Sequence, residues 1–490
     1  MGGMGFTTID YLVLFVYLFI TVLLGVLLRK RSQTLNDYFL AGRKLPWWAL
    51  SLSIVATETS IFTFIGVPAI SYGGTMTFLQ LGMGYVLGKI LVSTILLPSY
   101  FKGDIQSAYE ILTSRFGKRV KNFSAGLFQI QRVLADGVRL FGTALVLSLV
   151  TQFDEVWTIL LIGLITVVYT FYGGMTAVVW NDVIQLAIYI LGAAIAFVVL
   201  LAKIPNGLSG VMSAAQPADK MQIFDFTFSL QDPYVFLAAL IGGASFTFAT
   251  HGTDQMMVQR YLSCRTKRRG QQALIISGVI VLAQFALFLF IGVMLHAYYI
   301  HFPLEQPVER VESIFPIFIV QQMPPGISGL VIAAVFAAAM STLSSSLNSL
   351  SSSTVNDFYR PYLSPGRSEK HYVRISQLFT AGWGGILIAI AIVSRNWGGL
   401  VEVGLSIPSV IMGCVLGVFL LGKWTRVHTE MAALLGMIVG LTTVLFVHFN
   451  KVYAWGIIPD LAWTWYILIG SLSTILVGAF TERFYASRNQ

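Results

Sequence analysis

The sequence predicts an all-α polytopic membrane protein with about thirteen transmembrane helices. Three observations carry that prediction. Apolar residues make up 56% of the 490-residue chain and charged residues only 11%, whereas an ordinary soluble domain carries about 25% charged residues. The apolar residues fall in uncharged stretches of the length needed to cross the hydrocarbon core, about 20 residues for ~30 Å. Lys and Arg lie almost entirely between those stretches. The net charge of +9 is therefore spread over loops, as the positive-inside rule produces, and forms no basic domain for a nucleic-acid partner. Membrane lipid is the surrounding medium.

In chain order the spans cover about 9–28, 47–72, 76–101, 122–151, 156–172, 175–202, 233–262, 271–297, 326–352, 375–394, 399–422, 429–449 and 462–481. The first lacks the basic start and small-residue cleavage site of a signal peptide and is counted as a mature span. The fifth is short, and polar residues interrupt the sixth and ninth. With the N-terminus outside, 22 Lys and Arg residues fall in the inner segments 29–46, 102–121, 263–270, 353–374, 423–428 and 482–490. Only five fall in the outer segments 1–8, 203–232, 298–325, 395–398 and 450–461. That asymmetry predicts an external N-terminus and a cytoplasmic C-terminus in the plasma (inner) membrane. Two cysteines, Cys264 and Cys414, are too few for a disulfide framework or a thiolate metal site.

Ionisable groups inside spans are expensive and mark a pathway or a partner. Glu58, Arg132, Asp136, Arg139, Asp182 and His251 are such groups. The second span carries Ser53, Thr57, Glu58, Thr59, Ser60 and Thr63 before Gly66 and Pro68. Two readings fit it: a break that frees backbone carbonyls toward a cavity or ion, or a helix held to its neighbours by hydroxyl hydrogen bonds. In the ninth span Ser341, Ser344 and Ser345 share a helix face with Ala338 one turn away. That face is either a small-residue packing seam or an oxygen cluster suited to a hard cation. Asp182 lies too deep in the sixth span to cap it. It either pairs with Arg132, Arg139 or Lys89 or stands as a negative charge beside a cation site. His251 has no second ligand at metal spacing, and no Walker A, nucleophile-elbow or dinucleotide motif is present. The chain is not expected to be an enzyme.

Six motifs then occur in a familiar order: Asp37–Arg43 before Trp47-Trp48, Gly66-Val67-Pro68, Ser107–Glu110, Gly173-Gly174 with Trp180–Asp182, Asp254-Gln255 with Gln259–Leu262, and the Ser341–Asn348 cluster. Together they resemble the sodium/solute symporter family, most of all its monocarboxylate, vitamin and iodide branch and the bacterial sialic acid carriers. The resemblance implies a LeuT-type fold of two inverted five-helix repeats, each opening with a broken helix, with solute and ions bound at the breaks. The expected division is 1–46 for an extra span and cytoplasmic loop, 47–202 for the first repeat, 203–422 for the second with outer loops, and 423–490 for two terminal spans and a short tail.

The resemblance also implies site residues. A first Na+ site falls on the carbonyls of Ala56, Thr59 and Ala338 with the hydroxyls of Ser341 and Thr342. A second Na+ site falls on Asp182, Ser341, Ser344 and Ser345. Solute contacts fall on Ser60, Thr63, Phe78, Gln80 and Thr247, and Arg139 is the available grip for a carboxylate, unless it pairs with Asp136 or Glu58. Thr250 and His251 stand where sugar carriers place a gating Tyr and Trp, which speaks against glucose-like cargo. The expected function is sodium-coupled import of a small polar organic solute bearing a carboxylate, a monocarboxylate or a sialic-acid-like acid, with one or two Na+ per cycle and a monomer sufficing. The alternatives are a sugar or amino-acid symporter and, from another class, a cation channel whose filter the same hydroxyls would line.

Overall fold

A computed structural model describes residues 6–27, 34–103, 105–304, 308, 310–397 and 400–488. The last residue of the first predicted span, the basic run 29–33, the first residue of the predicted span 399–422 and parts of five other predicted loops or tails lie outside those residues. Among the described residues the chain is helical, with no strand.

Each of the thirteen apolar stretches coincides with helix. These are α1 Thr8–Leu27, α2 Trp47–Glu58 with α3 Val67–Gly73, α4 Leu79–Leu91, α5 Lys118–Thr151, α6 Glu155–Lys203, α7 Phe236–Gly252 with α8 Gln255–Leu262, α9 Lys267–His301, α10 Ile327–Ser353, α11 Glu369–Val393, α12 Leu400–Trp424, α13 Glu430–Val452 and α14 Tyr466–Arg488. Nine described helices are long and apolar enough to cross a membrane, ten if the bent α2–α3 pair counts as one. The described part of α1, the first half of α6, and α7 are apolar but shorter.

Two predicted spans, the fifth and sixth, are joined in α6 across a single kink at Gly174, whose backbone is left-handed (φ 56°, ψ −168°). A Cβ there would sit 2.8 Å from the Tyr38 carbonyl oxygen and 2.9 Å from its ring. Both the torsion and the close approach require glycine. The neighbouring motif at 37–43 is thus the surface on which the kink rests.

At the centre of the bundle stands α10, with nearly every side chain from Val331 to Ser353 buried. A helix buried all round is ordinarily apolar. This one is built of Ala and Ser, whose small side chains let neighbouring backbones come close. Its N-terminus is held by α1: Asp10 Oδ1 accepts from Gly326 N (2.7 Å), Ser328 Oγ (2.7 Å) and Gly329 N (2.8 Å). A carboxylate there satisfies orphan donors of the first helical turn and suits the positive end of the helix dipole.

Candidate functional site: two broken helices around an oxygen-rich core

The second span is broken. Its first half, α2, ends at Glu58 because Thr59 turns extended (φ −81°, ψ 96°), and the helical segment Phe62–Gly73 that follows leaves at 63° to α2. The chain re-enters through a π-helical stretch, Phe62–Gly66, and Pro68 lies in the first turn of α3, where a residue without an N–H loses no helix bond. The seventh span breaks as well. Asp254, extended between α7 and α8, caps α8 by accepting from Met256 N at 2.8 Å.

The first break faces α10. Thr342 Oγ1 donates to the Thr57 carbonyl at 3.0 Å and also reaches the Ala338 carbonyl at 3.3 Å. On the other side Thr59 Oγ1 donates to Gln284 Oε1 of α9 at 3.0 Å. A narrow cleft lies between these elements, with Ala56, Thr59, Ala338 and Ser341 among its walls. All five residues predicted for the first cation site therefore come together, four on the cleft and Thr342 bonded across it. Carbonyl and hydroxyl oxygens suit a hard monovalent or divalent cation rather than a soft one.

One turn away lies Asp182, fully buried. Its Oδ1 accepts from Ser341 Oγ at 2.6 Å, and its Oδ2 from Ser53 Oγ at 2.5 Å and from the Arg260 guanidinium at 3.1 Å. Arg260 also donates to Ser53 Oγ (3.0 Å), Thr57 Oγ1 (2.5 Å), the Met256 carbonyl (2.7 Å) and Ser345 Oγ. The sequence expectation of Arg132, Arg139 or Lys89 as the partner of Asp182 is corrected. The partner is Arg260, because α8 folds back against α2 and α10. Of the four residues predicted for a second cation site, Asp182, Ser341 and Ser345 meet. Ser344 instead donates back to the Ser341 carbonyl of its own helix at 3.1 Å.

A larger cavity, of about 90 Å³, borders the break and is walled by Ser60, Thr63, Phe78 and Arg139, four of the predicted solute residues. The other two are not among its lining residues. Gln80 turns to the loop before α7, donating to the Tyr234 carbonyl at 2.7 Å and accepting from Asp225 N at 3.3 Å. Thr247 faces α4: a Cβ on Gly88 would lie 2.6 Å from both the Ala244 carbonyl oxygen and Thr247 Cβ. The glycines of α4 draw α7 so close that Thr247 is sealed in the helix contact.

Charged side chains around this cavity are paired; Arg139 with Asp136 is a pairing the sequence left open, and the other pairings carried no signal in it. Glu58 accepts from Lys89 at 2.5 Å, with His251 Nε2 at 3.4 Å from the same oxygen. Arg139 pairs with Asp136 and lies over the Phe62 ring at 5.4 Å. Arg132 pairs with Asp254 and lies 3.5 Å from Asp136. Lys89 and His251 were visible as ionisable groups inside spans, but no spacing rule links positions 58, 89 and 251. The aromatic walls Tyr85, Phe246 and Phe285 carried no sequence signal at all.

Toward the end that carries the basic loops, polar contacts close the bundle. Asp357 receives Lys121 at 3.2 Å and the hydroxyls of Ser107 and Ser353 at 2.9 Å each. Gln255 joins the Ala108 amide (2.7 Å) to the Gln106 carbonyl (3.1 Å), and Gln259 reaches the Phe39 carbonyl at 2.7 Å. These contacts explain why the motifs near 37, 107 and 254 occur in one chain. Glu110, in the same loop, has its carboxyl pushed above the usual range by burial and by the nearby Asp357 charge.

The profile of the sodium:solute symporter family matches residues 38–440. The sodium/sialic acid symporters NanT of Aliivibrio fischeri and SiaT of Proteus mirabilis are 31% and 32% identical to this chain. Each alignment covers 99% of it, with 95% of the former protein and 97% of the latter. The human sodium-coupled monocarboxylate transporter 1 is 28% identical over 91% of this chain and 74% of its own. Among solved structures, a substrate-bound, outward-open Na+-coupled sialic acid symporter superimposes with a TM-score of 0.88 at 32% identity, covering 98% of both chains. MhsT, solved in complex with L-phenylalanine, shares the fold alone, at 14% identity and a TM-score of 0.52 over 89% of this chain and 98% of that one.

Proposed function

Because the chain belongs to the sodium:solute symporter family, and is therefore a membrane-embedded, sodium-coupled transporter and not an enzyme, we propose that its solute is a small, polar, carboxylate-bearing molecule. A monocarboxylate or a sialic-acid-like acid fits, imported by alternating access with one or two Na+ per cycle. One observation carries this reading: a cavity holding the Arg139 guanidinium borders a helix break that faces the oxygen-rich α10. Arg139 is already paired with Asp136 through Nη1, so it would grip the carboxylate with its remaining N–H donors, with Ser60, Thr63 and Phe78 around the rest of the solute.

In this reading the first Na+ is held by Ala56, Thr59, Ala338, Ser341 and Thr342, and ties the broken span to α10. The solute then binds the geometry that sodium has set, and reciprocity requires that it raise sodium affinity by the same factor. Each net positive charge carried inward through 100 mV contributes about 2.3 kcal/mol, so a monoanion moving with two Na+ keeps one such share. The second Na+ belongs beside Asp182, Ser341, Ser344 and Ser345, where it must compete with Arg260. The repeats are 47–202 and 203–422, flanked by 1–46 and 423–490. The basic loops face the cytoplasm, the N-terminus lies outside, the membrane is the plasma (inner) membrane, and one copy suffices.

Uptake by purified protein in proteoliposomes tests the reading. N-acetylneuraminate, L-lactate or another small carboxylate is expected to accumulate only under an inward sodium gradient, with potassium and choline as inert replacements. Uptake of sugars or neutral amino acids alone would overturn the solute class. A sodium current without any solute would favour a channel.

A further inference from the structure

Ahead of α7 the chain from Gln222 to Ser229 is not helical, and its side chains alternate. Ile223 packs against the core. Asp225 ties the segment to the bundle: its N–H donates to Gln80 Oε1 of α4 at 3.3 Å, and its carbonyl accepts from Phe236 N, the first residue of α7, at 2.7 Å. Asp225 Oδ1 also accepts from Thr227 N at 2.9 Å, and the Leu230 carbonyl accepts from Ala462 N at 2.8 Å. Between these tethers Phe224, Phe226 and Phe228 stand on the surface, 45%, 74% and 74% exposed. Their spacing of two is the one that puts side chains on a single face of an extended chain. The rings of Phe224 and Phe226 stack at 5.8 Å, and Phe226 meets the Phe236 ring at 5.0 Å. A ladder of phenyl rings is thus held outward by a backbone that is pinned from behind.

Phenyl rings in water are unfavourable, and a contiguous exposed apolar patch marks a contact surface. The surroundings say which contact. From Phe236 the exposed apolar face continues along α7 as Leu237 and Ile241, one turn apart, and on a helix of a membrane-embedded bundle that face meets lipid. α7 leads through α8 to the basic loop 263–270, so the ladder sits at the opposite end of the bundle. That end also carries exposed Tyr453 and Trp455 after α13, their rings stacked at 6.0 Å, the residue types that gather where membrane meets water. Depth is limited by the backbone. Non-helical chain facing lipid cannot enter the hydrocarbon, where its polar groups would have no partner, and Asp225, Thr227 and Ser229 alternate with the rings. Because Asp225 uses both its N–H and its carbonyl inside the bundle, the segment offers no free edge there for a strand of a second copy. We propose that residues 222–229, which lie in the predicted outer loop 203–232, form an interfacial lipid anchor. Phe224, Phe226 and Phe228 insert among acyl chains at the bilayer boundary away from the basic loops, while the backbone stays at headgroup level.

Collision rates of single nitroxide labels test the placement. Phe226→Cys and Phe228→Cys are each labelled in the full-length protein, reconstituted at one copy per nanodisc of phosphatidylcholine and phosphatidylglycerol. Cys264 and Cys414 are buried, and wild-type protein carried through the same labelling is the blank. Ala218→Cys, at an exposed position before the ladder, supplies the water reference, and Leu237→Cys supplies the lipid reference. Oxygen concentrates in the acyl region and a nickel chelate in water. The oxygen-to-nickel collision ratio at both ladder positions is expected to exceed that of Ala218→Cys at least threefold and to lie on the side of Leu237→Cys. A ratio equal to the water reference would overturn the proposal. Dipolar broadening between labels in liposomes holding many copies, with a water-like ratio in the single-copy discs, would assign the face to a second copy and overturn it as well.

Discussion

Asp182 and Arg260 meet 3.1 Å apart inside the bundle, with 0% and 2% of their side chains exposed. The two residues are 78 positions apart in sequence, one on α6 and one on α8, and their contact passes directly beside Ser341 and Ser345 of α10. A charge pair this deep loses much of its mutual attraction to the cost of desolvating both groups, so its net contribution to stability is small.

Removing either partner should therefore be severe and removing both mild. Asp182→Ala and Arg260→Met are each expected to cost about 3–5 kcal/mol by stranding a buried charge, and the double variant much less. Thermal unfolding in detergent, read as a double-mutant cycle, measures the difference. The same Asp182→Ala protein tests the second cation. A sodium Hill coefficient near one that this substitution leaves unchanged would rule that site out.

If Ser341 and Thr342 hold the first Na+ as proposed, their hydroxyls carry the coupling. Ser341→Ala and Thr342→Ala each remove a hydroxyl oxygen from the cleft between α2 and α10 while leaving helix propensity intact. The concentration of sodium giving half-maximal uptake is expected to rise at least tenfold in each, and solute binding is expected to lose its dependence on sodium. Wild-type sodium dependence in the double alanine variant would refute the assignment.

Arg139 separates recognition from charge alone. Its guanidinium is pinned between Asp136 and the face of Phe62, a geometry that an ammonium does not reproduce. Arg139→Lys is expected to raise KM for the carboxylate solute by about 10- to 100-fold, the loss of one charge-assisted contact of ~1.5–3 kcal/mol. Sodium binding in the absence of solute is expected to stay at the wild-type level. An unchanged KM would mean that the carboxylate is held elsewhere.

Gly174 is a purely structural constraint. Gly174→Ala places a Cβ against Tyr38 and a side chain on left-handed backbone, so a loss of at least about 1–2 kcal/mol is expected. Differential scanning fluorimetry should show the melting point falling, with the sodium-induced upward shift retained. An unchanged melting point would mean that the 37–43 segment yields freely.

Read alone, the sequence places the chain in a membrane, lays out its apolar spans to within several residues, leaves the second span between a break and a packed helix, and gathers the hydroxyls of α10 on one face. Each of these follows from local terms. About 20 apolar residues are needed to cross the hydrocarbon core, a hydroxyl-rich stretch ending in Gly and Pro admits a break, and residues three and four apart share a helix face. Only the tertiary structure decided the partners. Asp182 took Arg260 rather than Arg132 or Arg139, Glu58 took Lys89, and Gln80 and Thr247 left the cavity that their positions in the family pattern had suggested. Pairing depends on how closely two helices approach and how each is rotated. Here that is set by absent side chains, such as those at Gly88 and Gly174, which admit a neighbouring backbone from far away in the chain. Contacts of that kind are non-local, and no window along the sequence contains both of their ends.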